Sequence, residues 1–167
     1  MHISAWIILF LIGAMMPARA QAPTGEWLVE DGYARIRIVD CRDALWGIVA
    51  WEQTPGGRDV NNPDASKQSR PTLGMPILLR MRPASRGRWE GQIYNSENGR
   101  TYEGSIALRD ANTLRVEGCV LGFLCGGQDW TRQSKAPSAG SGSGGQRVTA
   151  SDAQICSSVL GASGRAH

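Results

Sequence analysis

From Thr24 onward, polar and apolar positions alternate with a period of two. Ala34-Arg35-Ile36-Arg37-Ile38-Val39 puts Ile36 and Ile38 on one face and Arg35 and Arg37 on the other, as in a half-buried strand. Gly25 to Glu30 precedes it, across Asp31-Gly32, a two-residue hairpin turn. Leu45 to Trp51 resumes with β-branched and aromatic residues. Met75 to Met81 and Trp89 to Tyr94 are two further strands. Asn98-Gly99 is the strongest hairpin signal in the chain, since both residues tolerate positive φ. Thr101 to Leu108 follows it, Asp110-Ala111-Asn112 turns the chain, and Leu114 to Cys119 and Gly126 to Arg132 complete the set. Eight strands, each joined to the next by a turn or loop, most simply close on themselves, which removes both edges. The pattern therefore predicts an all-β, eight-stranded antiparallel up-and-down barrel, with a two-sheet sandwich as the rival. At this strand number the interior is filled by side chains or holds one small ligand.

Two stretches break the period. Residues 54–74 are rich in Pro, Gly, Asn and Asp, with Ala65 to Arg70 the only helical candidate; a loop of this length usually covers a site or is mobile. Gln133 to Gly145 reads as a flexible linker. Asp152 to Leu160 has the makings of a short helix carrying Cys156, but the composition of 133–167 favours a disordered tail. The third strand is apolar on both parities, Trp46, Ile48 and Ala50 against Leu45, Val49 and Trp51. One of these faces lies outside the barrel, either under the 54–74 loop or as a partner surface.

The start of the chain has another character. Ala5 to Met16 is nearly all apolar but too short to span a bilayer, and Ala18-Arg19-Ala20 fits a cleavage site. Residues 1–20 are expected to be a signal peptide, with a membrane anchor as the rival, leaving a barrel domain over 21–132. The mature protein is then periplasmic or secreted. Without Arg19, the 18 basic groups become 17 against 15 acidic ones. They are dispersed, which argues against nucleic acid as a partner, and no later apolar run is long enough to cross a membrane.

Cys41, Cys119, Cys125 and Cys156 form an even set in an exported chain, which points to disulfides. There is no Cys-x-x-Cys, and His167 is the only histidine after the signal segment, so a zinc site is not expected. Cys41 ends the second strand at one mouth of the barrel, whereas Cys119 and Cys125 flank the last hairpin at the other, roughly 25 Å away. Since a disulfide needs Cα atoms within about 7 Å, the topology predicts Cys119–Cys125. Cys41 then pairs with Cys156 or stays free. The absence of histidine from the domain removes Ser-His-Asp and Cys-His catalysis. Glu90 and Glu103 are a weak carboxylate pair, and Asp59 to Asp64 lacks the glycine and bidentate glutamate of a calcium loop. No catalytic residue, cofactor or metal is expected.

Residues 25–132 resemble the bacterial DUF2147 family, small exported proteins with a lipocalin-like barrel. The resemblance is carried by G-E-W-L-V-E-D-G (Gly25 to Gly32), D-V-N-N-P-D (Asp59 to Asp64), R-P-T-L-G-M-P-I-L (Arg70 to Leu78), I-Y-N-S-E-N-G-R-T-Y (Ile93 to Tyr102) and the run from Gly118 to Arg132. It implies that Arg132, on the last strand, packs over Trp27 of a G-x-W signature and closes first strand on last. It also implies a local partner for Cys41 at the position occupied here by Trp46, so that family disulfide is lost. Lipocalin-like ligand carriage enters only as an analogy of fold.

Two functions are expected in turn. One is a non-catalytic carrier of a small hydrophobic ligand, with a pocket drawn from Ile36, Ile38, Trp51, Met75, Trp89 and Tyr102. The other is an envelope interaction module, such as an inhibitor of an exported protease or muramidase. Its contact would be the 54–74 loop or the mouth loop bearing Leu121 and Phe123.

Overall fold

The computed structural model describes residues 22–84, 87–134 and 145–163. The expected signal segment 1–20 and most of the Gly/Ser-rich linker lie outside them. The strands are β1 (Gly25–Leu28), β2 (Ala34–Cys41), β3 (Ala44–Glu52), β4 (Pro76–Pro83), β5 (Arg88–Asn95), β6 (Arg100–Leu108), β7 (Thr113–Val120) and β8 (Leu124–Gln133). All pair antiparallel with their neighbours in sequence, and β1 also pairs with β8, with Trp27 opposite Arg132. The result is a closed eight-stranded up-and-down barrel.

Inward positions follow the period of two except on β4, where a register shift between Leu79 and Arg82 turns both Leu78 and Met81 inward. Trp27, Ile38, Leu45, Leu78, Met81, Ile106 and Leu114 fill the lower half of the interior, none more than 4% exposed. Arg132 closes this end. Its guanidinium lies 4.1 Å from the centre of the Trp27 ring. It also donates to the carbonyls of Ala111 and Thr24, each at 2.7 Å. Gly25, at φ +112°, leaves room beneath it, since a Cβ there would stand 3.2 Å from the guanidinium. Arg132→Ala is expected to cost about 2 kcal/mol, because two hydrogen bonds to a charged donor and a cation–π contact disappear together. Arg132→Lys should recover only part of this; equal urea midpoints for all three proteins would refute the role.

On β3 the alternation is interrupted once. Arg35 pairs with Trp51 but Ile36 pairs with Val49, so Ala50 is an extra residue in β3. Such a bulge inverts the facing of the residues beyond it. Leu45 and Val49 point into the barrel core, whereas Trp46 and Ile48 point out. Trp51, past the bulge, packs beneath the Arg35 guanidinium, 5.1 Å from its ring centre.

The outward apolar face of β3 has its own cover. The disordered tail expected over 133–167 is corrected here, because residues 145–163 are part of the fold. A two-residue strand β9 (Gln146–Arg147) adds to the half of β3 that has left β4, pairing with Glu52 and Trp51. Helix α1 (Asp152–Ser163) comes next and lays Ile155 and Val159 over Val39, Trp46 and Ile48. Ser151 and Gln154 cap it reciprocally, at 2.8 and 3.3 Å. Cys156 is bonded to Cys41, with Cα atoms 5.3 Å apart. Leaving an apolar strand face and a free strand edge in water is unfavourable, and the tail removes both.

Candidate functional site

The upper half of the barrel is not filled. A cavity of about 570 Å³ opens at the mouth built by the β1–β2, β5–β6 and β7–β8 turns. Its wall is aliphatic, from Val29, Ile36, Val49, Ile77, Ile93 and Val116, with Trp130 beside them. The hollow has a local cause. Gly118 and Gly126 face each other across β7 and β8 at inward positions. A Cβ on Gly126 would meet nothing within 4 Å. Glycine inside a strand supplies no side chain to pack, so the barrel tapers open where these two residues replace larger ones.

Polar groups stand at the rim. Tyr102 accepts from the Asn98 amide at 3.0 Å, and Gln128 accepts from the Trp130 indole at 2.9 Å. Asp31 and Glu97 also line the opening, beside Tyr33. Burial, reinforced by the negative charge of Glu97 and Asp31, holds the Tyr33 phenol above its ordinary pKa.

The 54–74 loop is tied to this mouth. Asp59 is fully buried and receives only donors: the Tyr94 hydroxyl at 2.6 Å, the Asn62 amide at 2.7 Å and Arg70 at 2.8 Å. Burial and then the bond to Asp59 raise the Tyr94 pKa. The Asn61 amide donates to the Glu97 carbonyl at 2.8 Å, and the backbone of Asn61 abuts Gly99, where any Cβ would collide. The side-chain oxygens of Asp59, Asn62 and Asp64 are thus engaged in hydrogen bonds within the protein. Asp64 caps the single 3-10 turn at Ala65–Lys67, and its bonds to Ser66 and Lys67 lower its pKa to about 2.

The β7–β8 hairpin rises beyond the rim. Cys119 and Cys125 are directly opposed and disulfide-bonded, with Cα atoms 4.0 Å apart. Above them Leu121 is 80% and Phe123 72% exposed. Leu121 sits at φ +55°, a region unfavourable for a branched side chain.

Of the six residues expected to form a pocket, the structure places two, Ile36 and Tyr102, on the cavity wall. Ile38 lies deeper, in the filled floor. Trp89 packs against the core from the far end, opposite Pro83 and Ile106. Met75 is buried where the loop rejoins the barrel, its carbonyl accepting from the Val49 amide at 3.0 Å. Trp51 faces out because of the bulge. Val49, Ile93, Val116 and Trp130, which also line the cavity, were missed; only Ile93 shares the parity of a strand neighbour, Trp89, that was expected inside and packs on the core. Glu90 and Glu103 sit on the outer face, paired with Arg88 and Gln92.

A second groove, polar and lined by Glu26, Arg37 and Asp152, lies outside the barrel between β2 and the tail. Its charges serve attachment. A single nitrogen of Arg147, Nη1, donates to both carboxylate oxygens of Glu26, at 2.7 and 2.8 Å, and Arg37 donates to the Ala150 carbonyl at 2.9 Å. The cup inside the barrel is the better site, being deeper and mostly apolar.

Comparison with known proteins agrees with this architecture. The fold is similar to that of the protein HP1028 from Helicobacter pylori, described as belonging to the lipocalin family. The TM-score is 0.62 at 16% sequence identity, over 67% of this chain and 83% of that one. No curated protein matches the chain. The model of the family described as "Uncharacterized protein conserved in bacteria (DUF2147)" matches residues 25–132, ending one residue before β8 does. With that match spanning the whole barrel, the chain belongs to the DUF2147 family.

Proposed function

We propose that this protein is an exported, non-catalytic binder of a small ligand with an apolar body, held in the cup at the hairpin mouth. The observation that carries the reading is the cavity of about 570 Å³, walled by aliphatic side chains and kept open by inward glycines. That volume lies in the range of small-molecule sites. The paired disulfides support an oxidising compartment. The wall offers hydrocarbon, phenol and amide groups, with the carboxylates of Asp31 and Glu97 at the opening, a set suited to holding a ligand with an apolar body and a polar head.

Gly126→Phe tests this directly, because its side chain would enter open space in the cup. The variant is expected to bind the uncharged dye N-phenyl-1-naphthylamine at least about tenfold more weakly than the parent, with little change in melting temperature. Equal dye affinity in the two proteins would sink the proposal.

A second reading, an envelope interaction module, draws on the tip of the β7–β8 hairpin. Leu121 and Phe123 are held out in solvent on a disulfide-pinned turn, as a contact residue would be. That role does not need the cup, and Gly126→Phe would retain it.

A further inference from the structure

We propose that the cup selects an amphiphile with a protonated amine head group and discriminates against a carboxylate head. This rests on the cup being a ligand site and names the class of ligand it takes. Val29, Ile36, Val49, Ile93 and Val116 give the cavity an aliphatic wall, with polar groups at its rim, so a polar head belongs at the rim, where it keeps water or finds protein partners. The charged groups at that rim are of one sign. Asp31 comes from the β1–β2 turn and Glu97 from the β5–β6 turn. No Lys, Arg or His is among the described residues that line the cavity.

The chain as a whole carries 18 basic against 15 acidic residues, so an acidic rim is not a consequence of composition. The cations nearest in sequence are committed elsewhere. Arg35 covers Trp51 and Arg37 holds the tail, both on the outer face. Arg70 is paired with Asp59. Arg100, at the start of β6, is exposed and outside the lining.

Asp31, Tyr33 and Glu97 line the same opening, so the two carboxylates face one patch of the rim. A carboxylate head brought there meets two like charges and no positive partner, whereas an ammonium meets two opposite charges. It also meets the faces of Tyr33 and Tyr102, which line the same opening and attract cations.

The experiment uses the full, oxidised chain and three ten-carbon probes, decylamine, decanol and decanoate, each below its micelle concentration at neutral pH. Displacement of N-phenyl-1-naphthylamine reports binding. Decylamine is expected to bind about tenfold or more tighter than decanoate, with decanol between them. The ratio should shrink at high salt and approach one in Asp31→Asn/Glu97→Gln, two exposed substitutions that leave the core untouched. Decanoate binding as tightly as decylamine, and lost in Gly126→Phe, would overturn the head-group assignment while keeping the cup. An amine preference unchanged in the double variant would overturn the assignment to this rim. Failure of all three probes to bind would overturn the cup reading and this proposal with it.

Discussion

Replacing both cysteines of the long-range disulfide, as Cys41→Ala/Cys156→Ala, is expected to lower the unfolding free energy by about 3–5 kcal/mol. The bond closes a loop with a sequence separation of 115. The chain-entropy model gives nearly 5 kcal/mol for a loop of that size and about 2 for a separation of 6, that of Cys119–Cys125. Steric loss is small at Cys41, which is buried and accepts alanine without strain. The tail keeps other attachments: the ion pair of Arg147 with Glu26, the β9 pairing, and Ile155 and Val159 on Trp46 and Ile48. It should therefore open locally before the barrel unfolds. Melting by circular dichroism is expected to fall by roughly 10–15 °C, and the amides of α1 should exchange faster than those of β5 to β8. An unchanged midpoint with α1 still protected would show that the disulfide adds nothing to tail docking.

The second large effect falls on Asp59, where alanine is expected to cost about 3–5 kcal/mol. The buried Tyr94 hydroxyl and Asn62 amide lose their acceptor, at about 1–3 kcal/mol each, and Arg70, with 34% of its side chain exposed, loses its charged partner. Asparagine should be no milder. Every hydrogen bond of the Asp59 carboxylate is with a donor, so a side-chain NH2 would either be set against the Asn62 amide and Arg70 or, turned to the Tyr94 hydroxyl, leave that hydroxyl's proton without an acceptor. Tyr94→Phe should cost only about 1 kcal/mol, because Asp59 retains two donors. Urea denaturation of the three variants checks the order. An Asp59→Asn loss well under 1 kcal/mol would exclude the all-donor account.

The barrel was legible because its cause is local and repeated. A period of two, interrupted at Asp31-Gly32, Asn98-Gly99 and Asp110-Ala111-Asn112, needs no long-range information to read. The same holds for Cys119 and Cys125, which face each other because a hairpin lies between them. Trp51 was illegible from its own strand. Its facing depends on one extra residue, Ala50, and a bulge is visible only in the pairing with β2. The cup was half legible. Parity says which residues point inward, but height along the barrel axis separates Ile36 on the wall from Ile38 in the floor. That height is fixed by the stagger between strands, which no single strand records. The inward glycines Gly118 and Gly126 were the available signal.

The tail is a different kind of miss. Ser151 and Gln154 stand at the spacing of a reciprocal cap, and Ile155 and Val159 one turn apart. The apolar outward face of β3 called for a cover. The flexible composition of the preceding linker outweighed these signs. Trp46, which stands where the family resemblance implies a cysteine, is instead buried beneath α1, and Cys41 is bonded to that same helix.

The two disulfides also impose a timetable. In an unfolded chain the chance of two ends meeting falls as the three-halves power of the intervening length. Cys119 and Cys125 therefore encounter each other roughly 80-fold more often than Cys41 and Cys156, given separations of 6 and 115. The hairpin staple belongs to the first stage of oxidation. Cys41 must wait for Cys156, 115 residues further along the chain, and until the two meet the outer face of β3 is open to any other strand or apolar surface. The tail is thus a seal applied from outside, joined to the barrel through the slower of the two disulfides to form.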